Sequence, residues 1–299
     1  YATLLKDVSK HPLMGYYLSH LGNRAKVLGP NGEVLSSPDE NYAREIMQLF
    51  SIGLVQLHPD GSLKLDSANL PLPTYNQDDI SEMARVFTGW YYSKLNRPIK
   101  SDTIVDNTSF GNIDLGQRRY EAQWIYPMKM FQDKHDTGAK TAIGLSLPAG
   151  QTGEKDLDDV IAHLSTHPNT APFISRLLIQ RMVSSNPSRG YIYRVASAFT
   201  NSSGNLGATV KAILLDPEAR SISNATTIPG YGKVKEPLVR AASFFRAFNL
   251  KSQLPLSDLT EYGYPATELA KYPAGTMRAR IYDTTRFGQE PMSGPSVFN

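Results

Sequence analysis

Ser37-Pro38-Asp39-Glu40-Asn41-Tyr42-Ala43-Arg44-Glu45-Ile46-Met47-Gln48-Leu49-Phe50-Ser51-Ile52-Gly53 reads as one amphipathic helix with both ends marked. Ser37 predicts the cap and Pro38 the first helical position. Asp39 and Glu40 supply first-turn acids, and Glu40 stands where a capping box needs it. Ile46, Leu49 and Phe50, with Tyr42 and Met47, make the apolar side, and Gly53 offers the stop. Asn76-Gln77-Asp78-Asp79 opens a second helix, with Ile80, Met83, Ala84 and Phe87 on one stripe before Gly89. The same period and end signals predict helices over 154–165, 168–184, 189–201, 206–215 and 235–249. The fold class is therefore mainly α, a multi-helix globular bundle.

Between about 91 and 153 the helical period fades into Asn, Asp, Gly and Tyr, with short extended pieces at 123–126 and 141–143. This predicts a long irregular, partly β insertion, and long loops that persist tend to build binding surfaces. From 250 to 299, Pro255, Pro265, Pro273, Pro291 and Pro295 break any helix. No repeat and no shift in composition marks a boundary, so residues 1–299 read as one domain. The chain opens on Tyr1 in mid-pattern without a start Met, as an excerpt that a leader can precede.

The 299 residues include 31 Lys+Arg against 28 Asp+Glu, a net charge of +3, with 40% hydrophobic residues. That balance excludes a disordered chain and falls short of a nucleic-acid footprint. The absence of Cys excludes thiol nucleophiles, Cys-ligated zinc, iron–sulfur clusters and disulfides. No stretch reaches the roughly 18 apolar residues of a membrane span.

Two polar clusters could carry chemistry. In the first, Glu40 and Arg44, and Asn41 and Glu45, stand four apart on one helix, so each pair shares a face. It reads either as a solvated face with an ion pair or as a Glu45 carboxylate held in a cleft by Arg44 and Asn41. The second, Phe131-Gln132-Asp133-Lys134-His135-Asp136-Thr137-Gly138-Ala139-Lys140-Thr141, groups a His, Asp and Lys in the non-helical stretch. A carboxylate beside an imidazole can fix its tautomer for acid–base work, and the alternative is a turn in which Asp136 caps local N–H groups. Asp133 stands where a phosphate loop needs its first Gly, and Ala139 precedes Lys140, so no P-loop is present.

His163 and His167 are four apart, but Pro168 forces His167 out of the helix, and no metal site is predicted. No H-E-x-x-H, EF-hand loop or G-x-S-x-G occurs. Residues 160–215 contain no acid at all while carrying Arg176, Arg181, Arg189, Arg194 and Lys211. They form either a basic surface for an anionic glycan or partner protein, or Arg stems packed along helices. Trp90, Tyr91, Tyr92, Trp124 and Tyr126 cluster at the insertion, as a sugar-stacking platform or as core aromatics.

Several segments, in order, resemble the large bacterial proteins grouped as domain of unknown function 1800. They are His11-Pro12-Leu13-Met14, Glu40-Asn41-Tyr42-Ala43-Arg44-Glu45, Ala84-Arg85-Val86-Phe87-Thr88-Gly89-Trp90, His135-Asp136-Thr137-Gly138-Ala139-Lys140-Thr141, His167-Pro168-Asn169-Thr170-Ala171-Pro172, Lys235-Glu236-Pro237 and Gly288-Gln289-Glu290-Pro291. Asp39 stands where the family more often shows Asn. The resemblance implies an exported, extracytoplasmic bacterial protein, often encoded beside an exported sulfatase/phosphatase-like protein, with further chain on both sides of this stretch. It implies no established activity or cofactor.

Two functions follow as expectations. One is binding or processing of a polysaccharide or other polyanion, with Glu45 or His135 as acid or base and Asp136 orienting His135. Arg44 and Lys140 would then hold an anionic group, with Asn41, Trp90 and Arg176 completing the binding set. The other is a non-catalytic scaffold or accessory protein for the sulfatase-like neighbour, in which the same groups form buried networks.

Overall fold

Short polar side chains at helix starts set most of the architecture. The computed structural model describes residues 1–96, 104–108, 110 and 121–249, and these are mainly helical. Helices α1 (Ala2–Lys10) and α2 (Pro12–Tyr17) meet at a corner where His11 accepts the Leu13 N–H and Pro12 takes a position needing no donor. A hairpin, β1 (Val27–Leu28) with β2 (Val34–Ser36), leads to α3 (Asn41–Gln48). An arm over 54–74 then reaches α4 (Gln77–Val86).

The insertion is partly β, as expected. It holds β3 (Trp90–Tyr91), β4 (Lys94–Asn96), β5 (Ile104–Asp106), α5 (Glu121–Ile125), β6 (Lys129–Met130), β7 (Lys140–Ala142) and β8 (Leu145–Leu147). Its strands form antiparallel pairs β3–β6, β4–β5 and β7–β8. Then come α6 (Gly153–Thr166), α7 (Thr170–Met182), α8 (Arg189–Asn201), α9 (Leu206–Leu215), α10 (Pro217–Arg220) and α11 (Asn224–Thr227). Tyr1–Gly232 make one compact unit, and a second begins at Lys233 with α12 (Pro237–Ala247), whose start carries Pro237 in the first turn. The Pro-broken stretch 250–299 lies outside the described residues. Among those described, no helix is long and apolar enough to cross a membrane.

The helix ends show which signals prevail. Asn76 and Asp79 close a complete capping box on α4, and Thr152, Ser188 and Asn205 cap α6, α8 and α9. The expected box at Ser37 and Glu40 does not form, and α3 starts at Asn41. Asp39 accepts the Asn41 N–H instead, while the Glu40 carboxylate takes the Ser81 hydroxyl at 2.6 Å and the Gln77 amide at 2.8 Å. Contact with α4 outcompetes the local cap.

The apolar stripes of α3, α4 and α6 meet around Tyr42, Met83, Phe87, Trp90, Leu157 and Leu164. A second cluster, Ile179, Tyr191, Ile192, Val195 and Ile213, ties α7, α8 and α9 together. His20 is sealed in the first core, its ring 3.9 Å from Tyr42 and its Nε2 2.9 Å from the Ser9 carbonyl. Burial pulls its pKa down from 6.5 to about 4, against the Ser9 hydrogen bond. Between those values the unfolded chain takes up a proton that the folded chain refuses, so stability falls as pH drops below about 6.5. At about 1.4 kcal/mol per pH unit, the native protein is expected to lose about 2 kcal/mol more than His20→Gln between pH 7.5 and 5. Guanidinium unfolding at the two pH values checks this, and equal losses would refute it.

Candidate functional site

Two of the quoted motifs interlock. Thr88, just past α4, donates from Oγ1 to the Arg85 carbonyl at 2.7 Å and accepts the Asp136 N–H at 2.9 Å. Arg85 grips Asp136 with two hydrogen bonds of 3.0 Å and Glu82 with two more. A Cβ on Gly138 would stand 2.5 Å from the Arg85 guanidinium, so any larger residue there would have to push that tip away from Asp136. Gly89, at φ +85°, lets the chain bend so closely under Phe131 that a Cβ would sit 2.9 Å from its carbonyl. Asp79 and Glu82 on α4 then accept the N–H groups of Ile143 and Thr141 around β7.

At the centre lie His135, Lys140 and Asp156, all nearly sealed from solvent. His135 Nδ1 faces the Thr88 carbonyl at 3.0 Å and Nε2 faces Asp156 Oδ2 at 3.1 Å. Lys140 Nζ reaches the same Oδ2 at 2.7 Å and the Gly138 carbonyl at 3.1 Å, while Asp156 Oδ1 is buried with no partner. Burial alone would raise the Asp156 pKa, but the bonds from His135 and Lys140 outweigh it and leave the carboxyl below its ordinary range. Asp136 shows the same balance, with Arg85 and the Gly138 N–H prevailing over burial. Such an arrangement holds α4, β7 and α6 together electrostatically.

The expected site residues therefore separate. Asp136 does not orient His135, because Arg85 claims its carboxylate and Asp156 takes the imidazole. Lys140 points inward to Asp156 and not toward a ligand. Trp90 is 1% exposed and cannot act as a stacking platform, with Lys10 Nζ 5.2 Å from its ring centre. On α3, Asn41 is exposed and Arg44 pairs with Glu40 at 3.3 Å, so neither grips Glu45. Burial pushes the Glu45 carboxyl up, against Arg44, and its Oε2 is buried without a partner. Glu45 thus lies beside Arg44 on α3, whereas the hydrogen-bond partners of His135 are Thr88 and Asp156.

Arg176 lies elsewhere, in an open cleft of about 400 Å³ lined by Asp60, Arg176, Gln180, Asn186, Arg189 and Ile192. One wall is the turn at 58–62, where the Ser62 hydroxyl and N–H hold the Asp60 carboxyl below its ordinary range, with a smaller pull from Arg189. Arg176 donates to the Gly61 carbonyl. The arm carrying this wall is fastened by Asn169, whose amide accepts from Leu57 N–H at 2.6 Å and donates to the carbonyls of Ile52 at 2.5 Å and Val55 at 2.8 Å. Among the described residues, no group of three or more His, Asp or Glu is placed to hold a metal ion.

Asp156 is not among the residues the sequence points to, and Asn169 stands in the His167-to-Pro172 motif with no role assigned. A signal for Asp156 exists, because it falls on the buried stripe of α6 with Leu157, Val160 and Leu164, and an acid there calls for a buried cation. Asn169 looks like an ordinary cap, and nothing local marks its long-range bonds.

No curated protein and no solved structure matches the chain. The family model described as a protein of unknown function (DUF1800) matches residues 1–299, the whole chain. The chain therefore belongs to the DUF1800 family.

Proposed function

We propose that this protein binds an anionic polysaccharide at the cleft between the 58–62 turn and the α7–α8 connection, outside the cytoplasm of a bacterium. The observation that carries the reading is the lining: Arg176 and Arg189 share an open cleft with a single carboxylate, Asp60, while the Gln180 and Asn186 amides beside them donate to the Ser185 and Gly230 carbonyls. Guanidinium presents a planar fork that matches carboxylate or sulfate, and Arg176 uses only part of its fork on Gly61. The acid-free stretch 160–215 that supplies both arginines adds a field of the right sign.

The test is calorimetric titration with alginate and heparin oligosaccharides. Arg176→Gln and Arg189→Gln are each expected to weaken binding about tenfold to hundredfold, from about 1.5–3 kcal/mol per lost charge-assisted contact. Unchanged affinity, or no binding by the native protein, would overturn the reading. Protease accessibility in intact cells checks the location.

A second reading, a non-catalytic accessory to a sulfatase-like exported protein, draws support from the sealing of His135, Lys140 and Asp156, which leaves that cluster no reactive cleft. It predicts co-elution of the two purified proteins, and separate elution would count against it.

A further inference from the structure

Trp90 is buried, but another run of rings in the same unit reaches the surface. Tyr16 on α2 is 70% exposed and meets the half-buried Trp124 of α5 edge to face, at 5.8 Å between centres. Trp124 stands on the buried Tyr92 at 5.4 Å, Tyr92 continues to Tyr91 at 5.1 Å, and Tyr91 meets Phe110 at 5.0 Å. Phe110 then meets Phe131 at 5.6 Å. Two cations sit over the far end of this run, Arg24 5.3 Å from the Phe110 centre and Lys129 4.8 Å from that of Phe131. Tyr17, Ile125 and Tyr126, next to Tyr16 and Trp124 in the chain, are exposed as well.

We propose that Tyr16 and Trp124 form a stacking subsite for pyranose rings, with Arg24 and Lys129 receiving the acidic substituents of neighbouring sugars. This rests on the polysaccharide reading and extends it to a second, aromatic contact. The C–H face of a pyranose carries partial positive charge and lies well on the negative face of an aromatic ring, while Tyr O–H and Trp N–H stay available to its hydroxyls. Rings at one end and cations at the other match a polymer that alternates apolar faces with acidic groups. Trp124 is held from the core side by Tyr92, so its ring is preorganised and little side-chain freedom is lost on binding.

The chain has two tryptophans and Trp90 is sealed, so quenching of fluorescence by acrylamide reports on Trp124. Alginate oligosaccharide, and cello-oligosaccharide as its neutral counterpart, are expected to protect Trp124 in the intact protein. Tyr16→Ala and Trp124→Ala are each expected to weaken both ligands about fivefold to tenfold, while Arg24→Gln with Lys129→Gln weakens only alginate. Tyr16 is exposed, so its variant keeps the fold if the Trp124 variant does not.

If Tyr16→Ala and Trp124→Ala bind both ligands as the native protein does, the subsite is overturned, and alginate binding that still depends on Arg176 and Arg189 leaves the cleft reading standing. If cello-oligosaccharide binds through Trp124 but alginate does not bind, the subsite stands and the anionic reading falls. A native dimer that Trp124→Ala converts to monomer would show that a second copy covers the patch and overturn the proposal. Binding of neither sugar overturns both readings.

Discussion

Asp156→Ala is expected to destabilise the protein by about 3–5 kcal/mol, because it leaves the Lys140 ammonium and the His135 ring buried with no counter-charge. The measurement is guanidinium unfolding at pH 7, read as a lower midpoint with an unchanged slope. Replacing the whole group, His135→Leu with Lys140→Met and Asp156→Leu, is expected to recover most of the loss, since apolar residues of similar size carry no desolvation penalty. The pH dependence has a definite sign. The Asp156 carboxyl lies below its ordinary range in the folded protein, so its contribution is complete above about pH 4 and is lost as pH falls through the folded value. The native protein's advantage over Asp156→Ala should therefore shrink in acid. An Asp156→Ala protein within about 1 kcal/mol of native would mean that the cluster does not clamp α6 to β7.

Asn169→Ala is the second large effect, about 3–5 kcal/mol, from one N–H and two carbonyls left without their partner at about 1–3 kcal/mol each. Asn169→Asp should do no better, because a carboxylate would face the Ile52 and Val55 carbonyls. The damage is local in a way that can be read. The amides of Gln56, Lys64 and Leu72 are bonded within the arm, and their hydrogen exchange is expected to accelerate well beyond that of α4. Affinity at the cleft should fall with it, since the Asp60 wall rides on the arm. Unchanged exchange over 54–74 would show that Asn169 does not hold it.

Helices were legible where the signal is local. Asn76, Thr152, Ser188 and Asn205 each accept the N–H three residues on, and the apolar spacing behind them needs no knowledge of the partner helix. The start of α3 was misread because Glu40 is claimed by Gln77 and Ser81 from 37 and 41 residues away. The arm at 54–74 gave no pattern, since it is held by isolated bridges and by Asn169 and not by an alternating strand. In the site, the sequence pointed to His135, Asp136 and Lys140 but paired Asp136 with His135 by adjacency and gave Lys140 to an anionic group. Side chains of neighbouring residues in an extended turn diverge, so His135 and Lys140 meet Asp156 while Asp136 turns to Arg85.

Trp90 pairs with Met130 and Tyr91 with Lys129, so the chain leaves the helical body and re-enters it at adjoining points. Closing a loop costs only about 0.6 kcal/mol more for each doubling of its length. The middle of the stretch between those strands can therefore be lengthened or shortened at small entropic cost, provided that Tyr92 and Met128, buried at its two ends, are kept. Evolution can vary what such a body recognises by splicing new sequence into this one gap, and an engineer could graft a foreign loop there with the helices left unaltered.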